Sequence, residues 1–366
     1  MKALVVAERA TLGALLLDPA AIDVIGRWLR AADFADPWHG EVFRTLRELR
    51  AAGGEVGPAE VGRHLLTRVG PTRANLPQIA DLLRAVPACP EPQVYAVMVL
   101  EAALRREIAG HGVLLRAGAL ATNADGTARP VVAVTATVDS LLDAAESRWN
   151  AAVGLVEPGN GARSMTPARP AAVSALAADR YLRAHPPTAS DQVADHEADL
   201  IACLINKPDH LGTISGWLRP AAVGAATWRP VYEAMLSLRQ NRSRIDPVTV
   251  LWEIQRAAPA RGRGPEPSVV LARTEATAAA SPEYLALVVA GDHLCTVADR
   301  AAESLQVAAA NPGVQVDDLF GTGHAFTAAL RTGTAPLEPD RAETERVASV
   351  HQFPPAHARR SGPVAG

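Results

Sequence analysis

Apolar residues recur at helical spacing through most of the chain, and turn-forming residues cut that pattern into segments. Leu12, Leu15 and Leu16 share one helical face, which Asp18-Pro19 stops. Ile22, Ile25, Trp28 and Leu29 follow at the same spacing. Pro37 can open a helix carrying Val42, Phe43, Leu46 and Leu49, which ends before Gly53-Gly54. Pro58 starts another with Val61, Leu65 and Leu66, and Ile79, Leu82 and Leu83 form a fifth. After the Pro-rich break at 87–92, a long helix is predicted over 92–120 and a further one over 129–149. No stretch alternates with period two for long enough to predict a strand, so the expected class is all-α.

The pattern then repeats. At an offset of 189 residues Glu8 meets Glu197, Pro19 meets Pro208, and Trp28-Leu29-Arg30 meets Trp217-Leu218-Arg219. Val42-Phe43 meets Val231-Tyr232, Pro58 meets Pro247, and Tyr95 meets Tyr284. Matched Trp, Tyr and Pro are rare residues, so the repeat reads as a duplication. Two tandem helical bundles are expected, each followed by a helical hairpin. Copy one covers 1–153 and copy two covers 195–335, with long helices near 282–309 and 316–330. Residues 154–194 are rich in Gly and Pro and read as a linker with a short helix across 171–183. From 336 to 366 apolar periodicity vanishes, and a disordered tail is predicted.

Composition narrows the function classes. The chain of 366 residues is 48% hydrophobic and 20% charged, as in an ordinary globular protein. It has no apolar run long enough for a membrane helix and no signal peptide. Three scattered cysteines argue against a disulfide framework and make a reducing cytoplasm the default. A net charge of −3 disfavours a uniformly basic nucleic-acid binder. Lys2 and Lys207 are the only lysines, and neither stands where a phosphate loop needs one. The sequence therefore contains no standard P-loop motor.

No constellation for catalysis, cofactor or metal emerges. Gly154 and Gly159 have phosphate-loop spacing, but Asn160-Gly161 follows where Lys-Ser/Thr belongs. Gly321-Thr322-Gly323 is read as a loop between helices, and Asp317-Asp318 as the acidic first turn of a helix. Asp292, His293 and Cys295 point in different directions on a helix and lack a second ligand pair. Trp28 and Trp217 are expected to anchor the two cores. Arg105, Arg106 and Arg116 lie on the long helix of copy one, and Arg242, Arg244, Arg256, Arg261 and Arg263 cluster in copy two. Solvated faces are the simpler reading, and phosphate contact is the functional one.

Several of these segments together resemble the N-terminal domain of DnaB-type replicative helicases. The resemblance runs from Glu8-Arg9-Ala10-Thr11-Leu12-Gly13-Ala14-Leu15-Leu16-Leu17-Asp18-Pro19 through Asp33-Phe34, His39 and Val42-Phe43. It continues at Val86-Pro87-Ala88, Tyr95 and Leu104-Arg105-Arg106, covering roughly 8–120. Copy two is similar more weakly. It keeps Glu197, Pro208, Trp217-Leu218-Arg219 and Tyr284, but carries Ala222-Val223 and Trp228 in place of the Asp-Phe and His signature.

The resemblance implies an all-helical collar domain that docks primase and loaders, with the ATPase in a separate domain. It implies a non-enzymatic replication protein with no cofactor, acting on a replicative helicase, a primase or a helicase loader. DNA contact and homo-oligomerisation stay open. The expected interaction surface is the hairpin around 96–120, with Arg105, Arg106 and Arg116 as candidate partner-binding residues whose charge reversal weakens binding without unfolding the chain. The alternatives are a DNA-binding regulator and a helicase subunit completed in trans by a separate ATPase domain.

Overall fold

The computed structural model describes residues 2–74, 76–154, 175–184, 189–261, 265–277, 279–334 and 337. Copy one carries α1 (Lys2–Leu17), α2 (Ala21–Ile25), α3 (Pro37–Ala51), α4 (Pro58–Val69), α5 (Pro71–Ala74), α6 (Leu76–Arg84), α7 (Pro92–Asp125) and α8 (Arg129–Ala152). After α9 (Ala175–Ala184), copy two carries α10 (Ser190–Asn206), α11 (Leu211–Ser215), α12 (Arg229–Gln240), α13 (Pro247–Arg261), α14 (Pro267–Ala276), α15 (Pro282–Ala310) and α16 (Val316–Gly333). No strand occurs among the described residues, so the protein is all-α. Most of the expected linker, and all of the expected tail except Leu337, lie outside the described residues. No helix among the described residues is long and apolar enough to cross a membrane.

Local chemistry sets the helix ends. Asp36 caps α3 by accepting the Trp38 N–H at 2.8 Å, and Pro37 takes the first helical position. Gly53, at φ +70°, turns the chain out of α3 in a conformation that other residues adopt only with strain. The helix expected through Leu29 is shorter than its periodicity suggests. α2 ends at Ile25, and turn bonds from the Trp28 and Leu29 N–H groups to the Ile25 carbonyl keep the spacing without a continuous helix.

The described residues form two compact units. One is drawn from the described residues within 2–121, 130–189 and 292–332, the other from those within 122–129, 190–291 and 333–337. In the first unit α1, α3, α4 and α6 enclose Leu12, Leu15, Val42, Phe43, Leu46, Val61 and Leu65, all fully buried. The Phe34 and Phe43 rings lie 5.2 Å apart in this core. α1 approaches α6 so closely at Gly13 that a Cβ there would sit 2.2 Å from the Leu82 carbonyl oxygen.

The same unit contains α7 up to Ala121, α8 from Pro130, α15 from Asp292 and α16 up to Thr332. α7 and α8 of copy one pack with α16 and the second half of α15 of copy two. Glycines mark the close approaches: a Cβ on Gly112 of α7 would meet Ala302 Cα of α15 at 2.7 Å. One on Gly323 of α16 would meet Leu142 Cδ1 of α8 at 2.8 Å. Gly321-Thr322-Gly323 is therefore part of a helix, not the loop expected from its composition. Gly323 serves helix packing there. Asp317 and Asp318 do occupy the first turn of α16.

In the second unit α10, α12, α13 and α14 pack around Leu200, Ile201, Leu204, Val231, Tyr232 and Val250. Trp217 is partly buried against this core, whereas Trp28 is buried in the first unit. Tyr232 stands where copy one has Phe43. Its hydroxyl donates to the Leu218 carbonyl at 2.8 Å, and burial pushes its pKa up to about 12.

Candidate interaction surface

The polar residues of the Asp-Phe and His signature face inward. Glu8, fully buried, accepts the Ala35 N–H at 2.5 Å, and its other oxygen lies 2.6 Å from His39 Nδ1. Asp33 accepts the Arg30 N–H at 2.6 Å and Arg148 Nη2 at 2.5 Å. Arg148 also donates its Nε–H to the Trp28 carbonyl at 3.0 Å, fastening α8 to the bundle. This carboxylate–histidine pair offers no catalytic dyad, since both side chains are sealed from solvent. The signature is a scaffold that fixes the turn before α3.

The three arginines expected to meet a partner all bond within the first unit. Arg105 pairs with Glu101 at 2.8 Å and donates to the Asn311 and Val314 carbonyls at 3.0 and 2.6 Å, joining α7 to the loop after α15. Arg106 donates to the Asp33 carbonyl at 2.5 Å. Arg116 pairs with Asp299 of α15 at 2.6 Å. The three are not brought together as one cationic patch: charge reversal at Arg105 or Arg116 loads the hairpin packing, and at Arg106 it loads the contact of α7 with the bundle.

In copy two Arg244 pairs with Asp246 at 3.2 Å and Arg256 with Glu253 at 2.7 Å. Arg242 holds a left-handed backbone at φ +55°. The Arg261 side chain and Arg263 lie outside the described residues. Local carboxylates thus offset part of the cluster, which weakens it as a phosphate-binding face.

Sequence reasoning missed the most exposed apolar feature. Val248, Trp252 and Arg256 fall at i, i+4 and i+8 on α13, so they form one stripe. Val248 is 75% exposed and Trp252 68% exposed. The opposite face, with Val250, Glu253 and Ile254, is buried. Copy one carries Ala59 and Arg63 at the matching positions, so the Trp ridge belongs to copy two alone. That asymmetry was the available signal: an aromatic residue at a position outside the repeated core pattern. Copy one instead has a shallow groove of about 410 Å³ between α4 and α6, lined by Pro58, Gly62, Leu66, Ile79 and Leu83.

The cysteines are free. Cys89 is exposed, and Cys203 is buried in the second core, where desolvation raises its pKa. Asp292, His293 and Cys295 do not converge as ligands. Among the described residues, the His/carboxylate group that does converge is Asp143, Glu146 and His324.

The comparisons with known proteins agree with the duplicated architecture. The DnaB-like helicase N terminal domain family matches residues 1–101 and again 189–290. A 107-residue segment is 34% identical to the "Replicative DNA helicase DnaB" of Treponema pallidum (strain Nichols). That match covers 28% of this chain and 24% of the relative, so the chain spans about a quarter of that protein's length. No solved structure matches. With more than half of its length matched, the chain belongs to the DnaB-like helicase N-terminal domain family and carries that replication-helicase-related domain twice.

Proposed function

We propose that this chain is a non-catalytic interaction module of DNA replication that engages a replicative helicase, a primase or a helicase loader. The observation that carries this reading is the exposed Val248–Trp252–Arg256 stripe on a domain of the helicase N-terminal family. An exposed Trp beside an apolar neighbour and an Arg is the residue mixture that dominates binding energy at protein interfaces. The buried polar network of copy one supports the same reading, since residues that hold the turn before α3 are not available for chemistry.

The test is size-exclusion chromatography with light scattering, on the full chain alone and mixed with the host's replicative helicase or primase. A co-eluting complex that weakens by at least about tenfold with Trp252→Ala fits the proposal, because an interface Trp contributes about 2 kcal/mol or more. A complex indifferent to Trp252 would move the surface elsewhere. Absence of any protein complex, together with steeply salt-dependent retention on DNA, would replace this reading with a DNA-binding regulator.

A further inference from the structure

In the first unit, α8 of copy one and α16 of copy two bring together groups of a kind that hold metals. Asp143 and Glu146 lie about one turn apart on α8, and His324 faces them from α16. One ligand atom from each lies within 4.8 Å of the other two. His324 is also held from behind. Its Nδ1 is 3.1 Å from Asp139 Oδ1, and Asp139 is fixed in turn by Arg331 at 2.7 Å and by the Thr327 hydroxyl. In the neutral ring, a proton held at Nδ1 by Asp139 leaves Nε2 as the nitrogen that can bind a metal.

Nε2 lies 3.5 Å from Asp143 Oδ1. Two acceptors facing each other repel unless a positive charge stands between them. Asp139, Asp143 and Glu146 bring three negative charges to this face, and Arg331 returns one. The surplus matches the charge of a divalent ion. One imidazole nitrogen with two carboxylate oxygens suits Zn²⁺ and neighbouring transition ions better than Ca²⁺ or Mg²⁺, which take oxygen ligands alone. Orientation of the imidazole by a carboxylate behind it is the usual support of a metal-binding histidine. We propose that Asp143, Glu146 and His324 form a divalent transition-metal site of the zinc class, which clamps α16 of copy two to α8 of copy one.

The experiment is titration of the chelator-treated full chain with Co²⁺, followed by its visible absorption, then displacement by Zn²⁺. One saturable site is expected, with a thermal midpoint raised by about 5 °C at saturating Zn²⁺. Loss of the His324 ring in His324→Ala removes the spectrum. Because His324 also bonds Asp139, Glu146→Gln provides a gentler probe: Glu146 makes no hydrogen bond or ion pair among the described residues. It should weaken binding by about tenfold or more and leave the metal-free midpoint unchanged. Absence of saturable binding overturns the proposal. Binding that survives both substitutions unchanged also overturns it, and assigns the metal to other histidines.

Discussion

Glu8 and Glu197 accept the same two backbone N–H groups in their respective copies. Glu8 takes those of Ala35 and Asp36, at 2.5 and 3.4 Å. Glu197 takes those of Gly224 and Ala225, at 2.6 and 2.8 Å. The repeat seen in the sequence is therefore a repeat of hydrogen bonding. The buried carboxylate holds the turn that launches the next helix. Copy one adds His39 as a third partner, and copy two has Trp228 at that position, buried against the core instead.

Removing this buried carboxylate breaks two part-buried hydrogen bonds to a charged acceptor, each worth about 1.5–3 kcal/mol. Glu8→Ala should destabilise the chain by about 3 kcal/mol or more, and Glu197→Ala by a similar amount. His39→Phe should cost less than either, because the turn bonds to Glu8 survive. Urea midpoints of the three variants check the order. Equal losses for His39→Phe and Glu8→Ala would show that the imidazole, not the turn, carries the network.

The Asp33–Arg148 pair has its own test in the duplicate. Both side chains are buried. At the 189-residue offset Asp33 corresponds to Ala222, which is buried as well. Breaking one side of a buried pair costs about 3–5 kcal/mol, whereas replacing both sides with apolar groups is often close to neutral. Asp33→Ala alone should therefore be severely destabilising, and the double variant Asp33→Ala/Arg148→Leu should recover much of the loss. A double-mutant cycle reads the coupling. Additive losses would mean that the bond from Arg148 to the Trp28 carbonyl, not the ion pair, carries the energy.

Much of the bundle was legible because burial follows helical spacing: Leu12, Leu15, Val42, Phe43 and Leu46 are core residues as read. Helix ends were legible where Pro37, Pro58 and Gly53 punctuate them. The short α5 escaped because Pro71–Ala74 offers one turn and no periodicity. Gly321 and Gly323 misled because glycine signals a turn in isolation, while here Gly323 admits a neighbouring helix. Arg105 and Arg116 were recognised as a group, but their bonds to Val314 and Asp299 span about 200 residues and depend on hairpin packing. The His324–Asp139 contact, at a separation of 185 residues, is illegible for the same reason.

Hairpin packing can be probed at its two close approaches. At Gly112 the obstacle to a larger residue is the Ala302 backbone, which cannot move without shifting α15. At Gly323 it is the far end of the Leu142 side chain, which can change rotamer. Gly112→Val should thus cost about 3 kcal/mol or more. Gly323→Ala should fall within about 1 kcal/mol of the parent, since its strain is offset by better helix propensity. Thermal unfolding of both variants distinguishes the sites. A larger loss at Gly323 would show that Leu142 is locked by its neighbours.

His111 gives the same bundle a pH dependence. It lies on α7 beside Gly112, is buried, and its Nδ1 has no hydrogen-bond partner. Desolvation disfavours the imidazolium and lowers the pKa from 6.5 to about 4. The unfolded chain takes up a proton on this ring near pH 6.5, whereas the folded chain resists until about pH 4. Above the unfolded value the residue makes no pH-dependent contribution. As pH falls through that window the unfolded state is favoured, and the accumulated loss reaches about 3 kcal/mol once both forms are protonated. His111→Leu keeps a similar volume and removes the titration. Its stability relative to the parent should rise by about 2–3 kcal/mol between pH 7.5 and pH 4.5, measured by urea unfolding at the two pH values. A constant difference across that range would mean that the ring reaches solvent in the folded chain and titrates near its ordinary value.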